Sequence, residues 1–209
     1  MGKRKAPPKT PYSSNDPRSR ITTPLDSQMT LFPAMRQETD RAAGVLAAAY
    51  LERYLADLFR VRLRKDVDES MFQYCGPLGD FSGKINLAHA LGWISSDVKN
   101  DLHVLRDIRN DFAHDPSHQL TFNDPSISDR TLNFVAYRKW KGMYRALPSK
   151  TPLGTIEAMQ TARGRFEVAV AELIVAIIEV TGHGVLLDEL PCENLEETRP
   201  RMGIYGTDY

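Results

Sequence analysis

The 209 residues include only two cysteines, Cys75 and Cys192, far apart in the chain. That scarcity excludes a disulfide framework and any structural zinc site built from thiolates alone, and makes a reducing compartment the default. Long hydrophobic runs are missing too. The most apolar stretch, Val168 to Val180, falls short of the ~20 residues of a membrane span and carries Glu172 and Glu179. No apolar h-region follows the basic side chains of the first twenty residues, so neither export nor a membrane partner is expected. A third absence is an excess of charge of one sign. With 27 basic and 27 acidic side chains the formal net charge is zero. Bulk charge therefore defines neither a nucleic-acid binder nor a solvating acidic chain, and any electrostatic partner must be met by a local patch.

Neutrality is the sum of opposed ends. Near the start stand Lys3, Arg4, Lys5, Lys9, Arg18 and Arg20 against the single acid Asp16. From Asp188 onward stand Asp188, Glu189, Glu193, Glu196, Glu197 and Asp208 against Arg199 and Arg201. Residues 1–37 are rich in Pro, Ser and Thr and show no period, which reads as a flexible basic arm and a loosely packed lead-in. Lys3, Arg4, Lys5 and Lys9 would make that arm a tether to nucleic acid or another anion; the same residues also suit a solubilising tail, since no aromatics are interleaved. Residues 38–185 form the expected structured domain, and 186–209 an acidic C-terminal segment.

The periodicity of the domain is helical. From Gln37 to about Arg64, Val45, Ala48, Leu55, Phe59 and Leu63 recur at helical spacing among Ala-rich helix formers. Glu52 falls inside this stripe and needs a partner. Gly76, Gly79 and Gly83 invite a phosphate-loop reading, but Gly79 and Gly83 are too close and no Ser or Thr follows Lys84, so a turn and a short helix from about Ser82 to Leu91 are expected. Ser95 and Ser96 offer an N-cap for the next helix, which runs to His114 before Pro116. Its apolar stripe is Val98, Leu102, Leu105, Ile108 and Phe112, with Arg109 close to the centre. A guanidinium there requires a buried acid or acceptors, and Glu52 is the first acid to name. A short helix from Ser126 to about Phe134, a polar connection from Ala136 to Thr155, and a last helix from about Ile156 to Thr181, ending at Gly182, complete the domain. That last helix is apolar nearly all round in its second half, as a central core helix or a dimer seam would be. No strand pattern competes, and the fold class is all-α.

Several fragments, taken in order, resemble the mannitol operon repressor (MltR) family: AAAYLERYLADLF, GPLGDFSGKINLAHALGWIS, DLHVLRDIRNDFAH, LTFNDPSISDR and ARGRFEVAVAELIVAII. The resemblance covers roughly residues 38–181. It implies an all-helical cytoplasmic regulator, a homodimer, associated in some members with repression of sugar-alcohol uptake genes. It supplies no DNA-reading mechanism. No helix-turn-helix is recognised, because the segment Val98 to His114 spends its face on apolar residues, so protein contacts are the expected mode of action.

The same helix is similar to the HEPN superfamily, whose ribonuclease members use an Arg followed, after four to six residues, by a His. Arg109 and His114 fit, with Asn110 as the supporting polar residue. The resemblance implies a metal-independent endoribonuclease in which Arg109 binds the scissile phosphate and His114 moves a proton. Five residues along a straight helix put the two side chains about 140° apart. They meet on one phosphate only if the helix ends or bends near Phe112, or if two chains share their residues across a dimer axis. A structural reading competes: Arg109 pairs within the fold and His114 ends the helix near its negative pole. His114 and His118 have zinc-like spacing with Asp115 nearby, but Pro116 disrupts the helical face between them, and neither metal nor cofactor is expected. His89, His103 and His183 are isolated, His103 on the solvent side. Three readings stand: a regulator working through protein contacts, a ribonuclease on Arg109 and His114, and a DNA-bound repressor using the basic arm.

Overall fold

The computed structural model describes residues 24–64, 66–117, 119–146 and 159–189. They form seven α-helices: α1 (Pro24–Gln37), α2 (Asp40–Arg62), α3 (Phe81–Ala90), α4 (Ser96–His114), α5 (Pro125–Thr131), α6 (Val135–Ala146) and α7 (Ala162–Glu189). A 3-10 turn, Glu69–Phe72, lies between α2 and α3. Among the described residues there is no strand, as the all-α class requires.

Helix starts follow the capping chemistry of the sequence. Thr39, Asp80 and Ser95 accept from the backbone N–H of Ala42, Gly83 and Val98, supplying acceptors that a first helical turn lacks. Helix α3 ends on Gly92, whose positive φ of 71° suits a residue without Cβ. There Trp93 N–H returns to the Ala88 carbonyl at 2.9 Å and Gly92 N–H to His89 at 2.9 Å, closing the helix end.

Helix α7 is the axis of the fold. Helices α1, α2, α4, α5 and α6 all pack on it, and α3 packs on α2 and α4. Its Phe166, Ala169, Val170, Leu173, Ile174 and Ile177 are fully buried, so its apolar girth is spent on the core. The row predicted on α4 is buried throughout. Phe112, Phe122 and Phe166 stack in sequence, with centroids 5.1 and 4.9 Å apart. Gly44 lets α2 and α4 approach, since a Cβ there would lie 2.6 Å from Phe112 Cδ2.

Three expectations about elements need correction. The lead-in is helical from Pro24, and its Leu31 and Met35 are fully buried. Pro33 inside it and its polar neighbours hide the pattern, while Arg163 of α7 holds the end of α1 through the Met35 carbonyl at 2.6 Å. The segment read as a polar connection from Ala136 begins instead with α6, a helix started by an acid from elsewhere in the fold, Asp101. Finally, α7 starts at Ala162 and runs through Gly182 to Glu189. A glycine stops a helix only where the chain needs a left-handed turn, and Gly182 does not have one. The basic arm with Lys3, Arg4, Lys5 and Lys9, the remainder of the connection and the acidic segment beyond Glu189 lie outside the described residues.

Candidate functional site

Helix α4 carries all three residues of the ribonuclease motif. Arg109 is half-buried and its Nη1 donates to Asn110 Oδ1 at 2.9 Å, so the structure brings those two together. His114 is exposed in the last turn. Because α4 is one helix from Ser96 to His114 and does not end at Phe112, His114 stands about 140° around the axis and about 7.5 Å along it from Arg109. Within one chain the two do not converge on a common atom.

The groups around His114 are occupied with structure. Arg41 of α2 donates from Nη1 to the Asp115 carbonyl at 3.0 Å and from Nη2 to the Ala113 carbonyl at 3.1 Å, satisfying the C-terminal end of α4. The Asp115 carboxylate accepts from the Leu120 and Gln119 N–H groups, each at 3.0 Å, and from Ser117 Oγ at 2.7 Å. Those donors, Leu120 and Ser117 foremost, hold its carboxyl well below the usual range, at about 2. Asp115 thus folds the following loop and does not orient His114.

Glu52 has a partner, as its position in the stripe demanded, but the partner is Lys84 and not Arg109. Lys84 Nζ donates to Glu52 Oε1 at 2.8 Å, and its side chain is only 5% exposed against 27% for Glu52. Glu52 lies where α2 meets α3, one neighbour round from α4. Lys84 also reaches the Gly79 carbonyl at 3.5 Å, tying the Gly-rich turn to α2. A Cβ at Gly79 would overlap the Gln73 carbonyl oxygen, and one at Gly76 those of Ser70 and Met71. These glycines therefore serve a tight turn and not a phosphate.

His103 was expected to face solvent; it is half-buried between α3 and α4. Arg106 Nη1 donates to its Nδ1 at 3.5 Å, which makes Nε2 the protonated nitrogen facing Asn86 Oδ1 at 3.1 Å. Burial, then the Arg106 charge, pushes the imidazole below its ordinary value. Arg106 also donates to Ser82 Oγ at 2.7 Å, and Arg130 bridges to Asp111 at 3.0 Å, so this network fastens α3 and α5 to α4. His89 Nδ1 lies 3.1 Å from the Ile94 carbonyl.

Sequence reading missed Asp101. It is fully buried, and its two oxygens accept from Val135 N–H at 2.6 Å and Ala136 N–H at 2.9 Å. The signal was present: at about 100° per residue Asp101 falls inside the arc of the α4 apolar row, between Val98 and Ile108. Arg163 and Arg165 were missed as well. Arg163 donates to Asp40 Oδ1 at 2.7 Å and to the Met35 carbonyl, joining α1, α2 and α7. Arg165 is buried, donates to Thr131 Oγ1 at 2.9 Å and lies 5.5 Å from the Tyr137 ring centroid.

Among the described residues no group of three His, Cys, Asp or Glu could hold a metal ion, and no helix is long and apolar enough to cross a membrane. His118, the second histidine of the zinc-like spacing, lies outside the described residues. Compared with known proteins, residues 44–183 match the family model described as Mannitol repressor. No curated protein and no solved structure matches the chain.

Proposed function

The chain belongs to the mannitol repressor family, and from that premise we propose that it is a cytoplasmic transcriptional regulator, working as a homodimer, that reaches its targets mainly through contacts with other proteins. Family membership supports the regulatory role broadly. What supports the protein-contact mechanism is the use made of α4, the candidate recognition helix. Its Val98, Leu102, Leu105, Ile108 and Phe112 are all in the core, and its flanks are engaged by Ser82, Asn86 and Arg130. A helix committed on those sides cannot lie in a major groove and present base-reading side chains.

The reading is tested by chromatin immunoprecipitation of the full chain in its own cell, paired with footprinting by the purified protein. Discrete promoters are recovered in the cell, while the purified chain alone protects no specific sequence on them at physiological salt. A specific footprint from the purified chain overturns the protein-contact mechanism, and absence of promoter occupancy overturns the regulator. Sedimentation of the purified chain as a monomer removes the homodimer. In the ribonuclease reading, Arg109 and His114 have to come from two chains. RNA cleavage by purified protein that disappears in a folded His114→Ala variant would replace the regulator reading.

A further inference from the structure

Helix α6 was not expected at all, and it divides cleanly into two faces. Its inner face turns Val135 and Ala136 into the core, sets the Trp140 indole against Glu172 at 3.0 Å, and packs half-buried Tyr137 near Arg165. The sequence VAYRKWKGMYRA contains four basic residues and no acid. At about 100° per residue, Arg138, Lys141 and Arg145 fall within an arc of about 60°, opposite the buried side, and the row is about 10 Å long. Gly142 lies on the same face, where an added Cβ would meet nothing within 4 Å. Arg138 and Lys141 are exposed, and Lys141 Nζ lies over the Tyr137 ring, 5.7 Å from its centroid.

The acids that neighbouring helices turn toward α6 act at its inner side and flank. Asp101 accepts from its first N–H groups, Glu172 from Trp140, and Asp97 pairs with Lys139 at 2.7 Å. We propose that the row Arg138, Lys141 and Arg145 on the outer face of α6 is a contact surface for the phosphodiester backbone of a DNA duplex. Charge complementarity selects a polyanion. The exposed described residues of this face, Arg138, Lys141 and Gly142, offer none of the apolar anchors through which a peptide helix docks. The Trp140 indole is turned to Glu172 and the Tyr137 ring is shared by Lys141 and Arg165, so neither ring offers the stacking platform that a single strand uses. A duplex offers a phosphate about every 3.4 Å along each strand, so a row of this length spans several of them, and Gly142 leaves room for close approach. Such contacts hold a protein on DNA without reading its sequence. The surface goes beyond the regulatory reading above and does not depend on how promoters are chosen.

The test is fluorescence anisotropy of the purified full-length protein on a labelled duplex of arbitrary sequence across a salt series. The compared variants are Arg138→Gln/Lys141→Gln/Arg145→Gln and, separately, Lys3→Gln/Arg4→Gln/Lys5→Gln/Lys9→Gln. Each phosphate contact contributes a slope of about −0.9 to log K against log salt, so losing three contacts flattens the slope by about 2.7. Over a fourfold rise in salt that corresponds to about a 40-fold smaller fall in affinity. We expect this flattening, together with weaker binding at low salt, in the α6 variant, and expect the arm variant to retain the α6 share. Far-UV circular dichroism and an unchanged melting temperature certify the fold of each variant. Wild-type slope and affinity in the folded α6 variant overturn the proposal. So does loss of binding to poly-glutamate with DNA binding unchanged, which would assign the row to an acidic protein segment.

Discussion

Replacing Asp101 should release the start of α6 while the rest of the bundle stays closed. The two N–H groups it accepts, Val135 at 2.6 Å and Ala136 at 2.9 Å, belong to the first turn of α6, where no internal acceptor exists. In Asp101→Ala both are left buried without a partner, at about 1–3 kcal/mol each. A carboxylate beside a helix N-terminus in a buried setting adds up to about 2 kcal/mol. The sum is roughly 2–8 kcal/mol, a large share of the 5–15 kcal/mol or so that holds a typical domain together. At about 2–4 °C per kcal/mol for a chain of this size, the melting temperature drops by roughly 4–32 °C, centred near 15 °C. Asp101→Asn keeps one oxygen and turns an amide donor toward the other N–H, so it falls between the wild type and Asp101→Ala. Urea unfolding followed by circular dichroism gives the global figure. Amide hydrogen exchange gives the local one, because Val135 and Ala136 lose protection before the amides of α2 and α7. Trp140, held to Glu172 at 3.0 Å, reports the same event by fluorescence. A loss in Asp101→Ala below about 1 kcal/mol, or unchanged protection at Val135 and Ala136, refutes the claim that this carboxylate starts the helix.

Other substitutions test the remaining contacts. Gly142→Ala, which meets nothing within 4 Å, raises stability by roughly 0.5–1 kcal/mol through helix propensity, whereas Gly44→Ala drives a Cβ against Phe112 and lowers it by about 1–3 kcal/mol; equal signs in urea unfolding would contradict the packing at this crossing. A double-mutant cycle between Glu52→Gln and Lys84→Met shows a coupling of about 1–3 kcal/mol, since Glu52→Gln alone strands a buried ammonium. The same cycle between Glu52 and Arg109 shows none, and the reverse pattern would restore the pair expected from sequence. His103 is held below its ordinary 6.5 by burial and Arg106; the unfolded chain therefore takes up its proton first, and stability is lost as pH falls from about 6.5 through the lower folded value. His103→Gln flattens that segment of a stability-against-pH curve, and an unchanged curve rules His103 out as its source. Asp115 titrates at about 2, below its unfolded range, so its stabilisation of the 115–120 loop is present above about 4 and is lost as pH falls through about 2; a carboxyl NMR midpoint near the ordinary value would refute the loop geometry.

Much of the bundle was legible because helical amphipathicity is a local signal. The apolar row of α4, its Ser95 cap and the short helix after the Gly-rich turn are written within a few residues of where they act. What stayed hidden depends on groups far away in the chain. Helix α1 is closed by Arg163, 128 positions from Met35, and α6 is started by Asp101, 34 positions before Val135. A residue-by-residue pattern carries no trace of either. The partner of Glu52 was misassigned for the same reason: the stripe says that a carboxylate faces inward, but only the placement of α3 decides which cation it meets. Arg109 and Asn110 were found together, while separation from His114 follows from α4 continuing straight through Phe112 to His114.

A net charge of zero turns out to say little about which cations face a partner. In the body of the fold, four guanidinium groups act as fixed forks that donate to backbone carbonyls. Arg41 holds the end of α4, Arg62 reaches the Val180 carbonyl at 2.9 Å, Arg163 holds the end of α1, and Arg165 reaches the Gln160 carbonyl at 3.2 Å. Planar geometry and a charge that persists on burial suit arginine to this work, and such residues contribute little outward field. Helix α6 differs in kind. Its inner contacts are made by aromatic rings and by acids borrowed from α4 and α7, while Arg138 and Lys141 stand exposed on the outward side, Lys141 over the Tyr137 ring. A charged residue engaged on several carbonyls is explained by the fold; a row of them set opposite the buried face of an otherwise satisfied helix is explained by something outside it. That contrast, and not the sum over the sequence, is the physical ground for seeking a polyanion at α6.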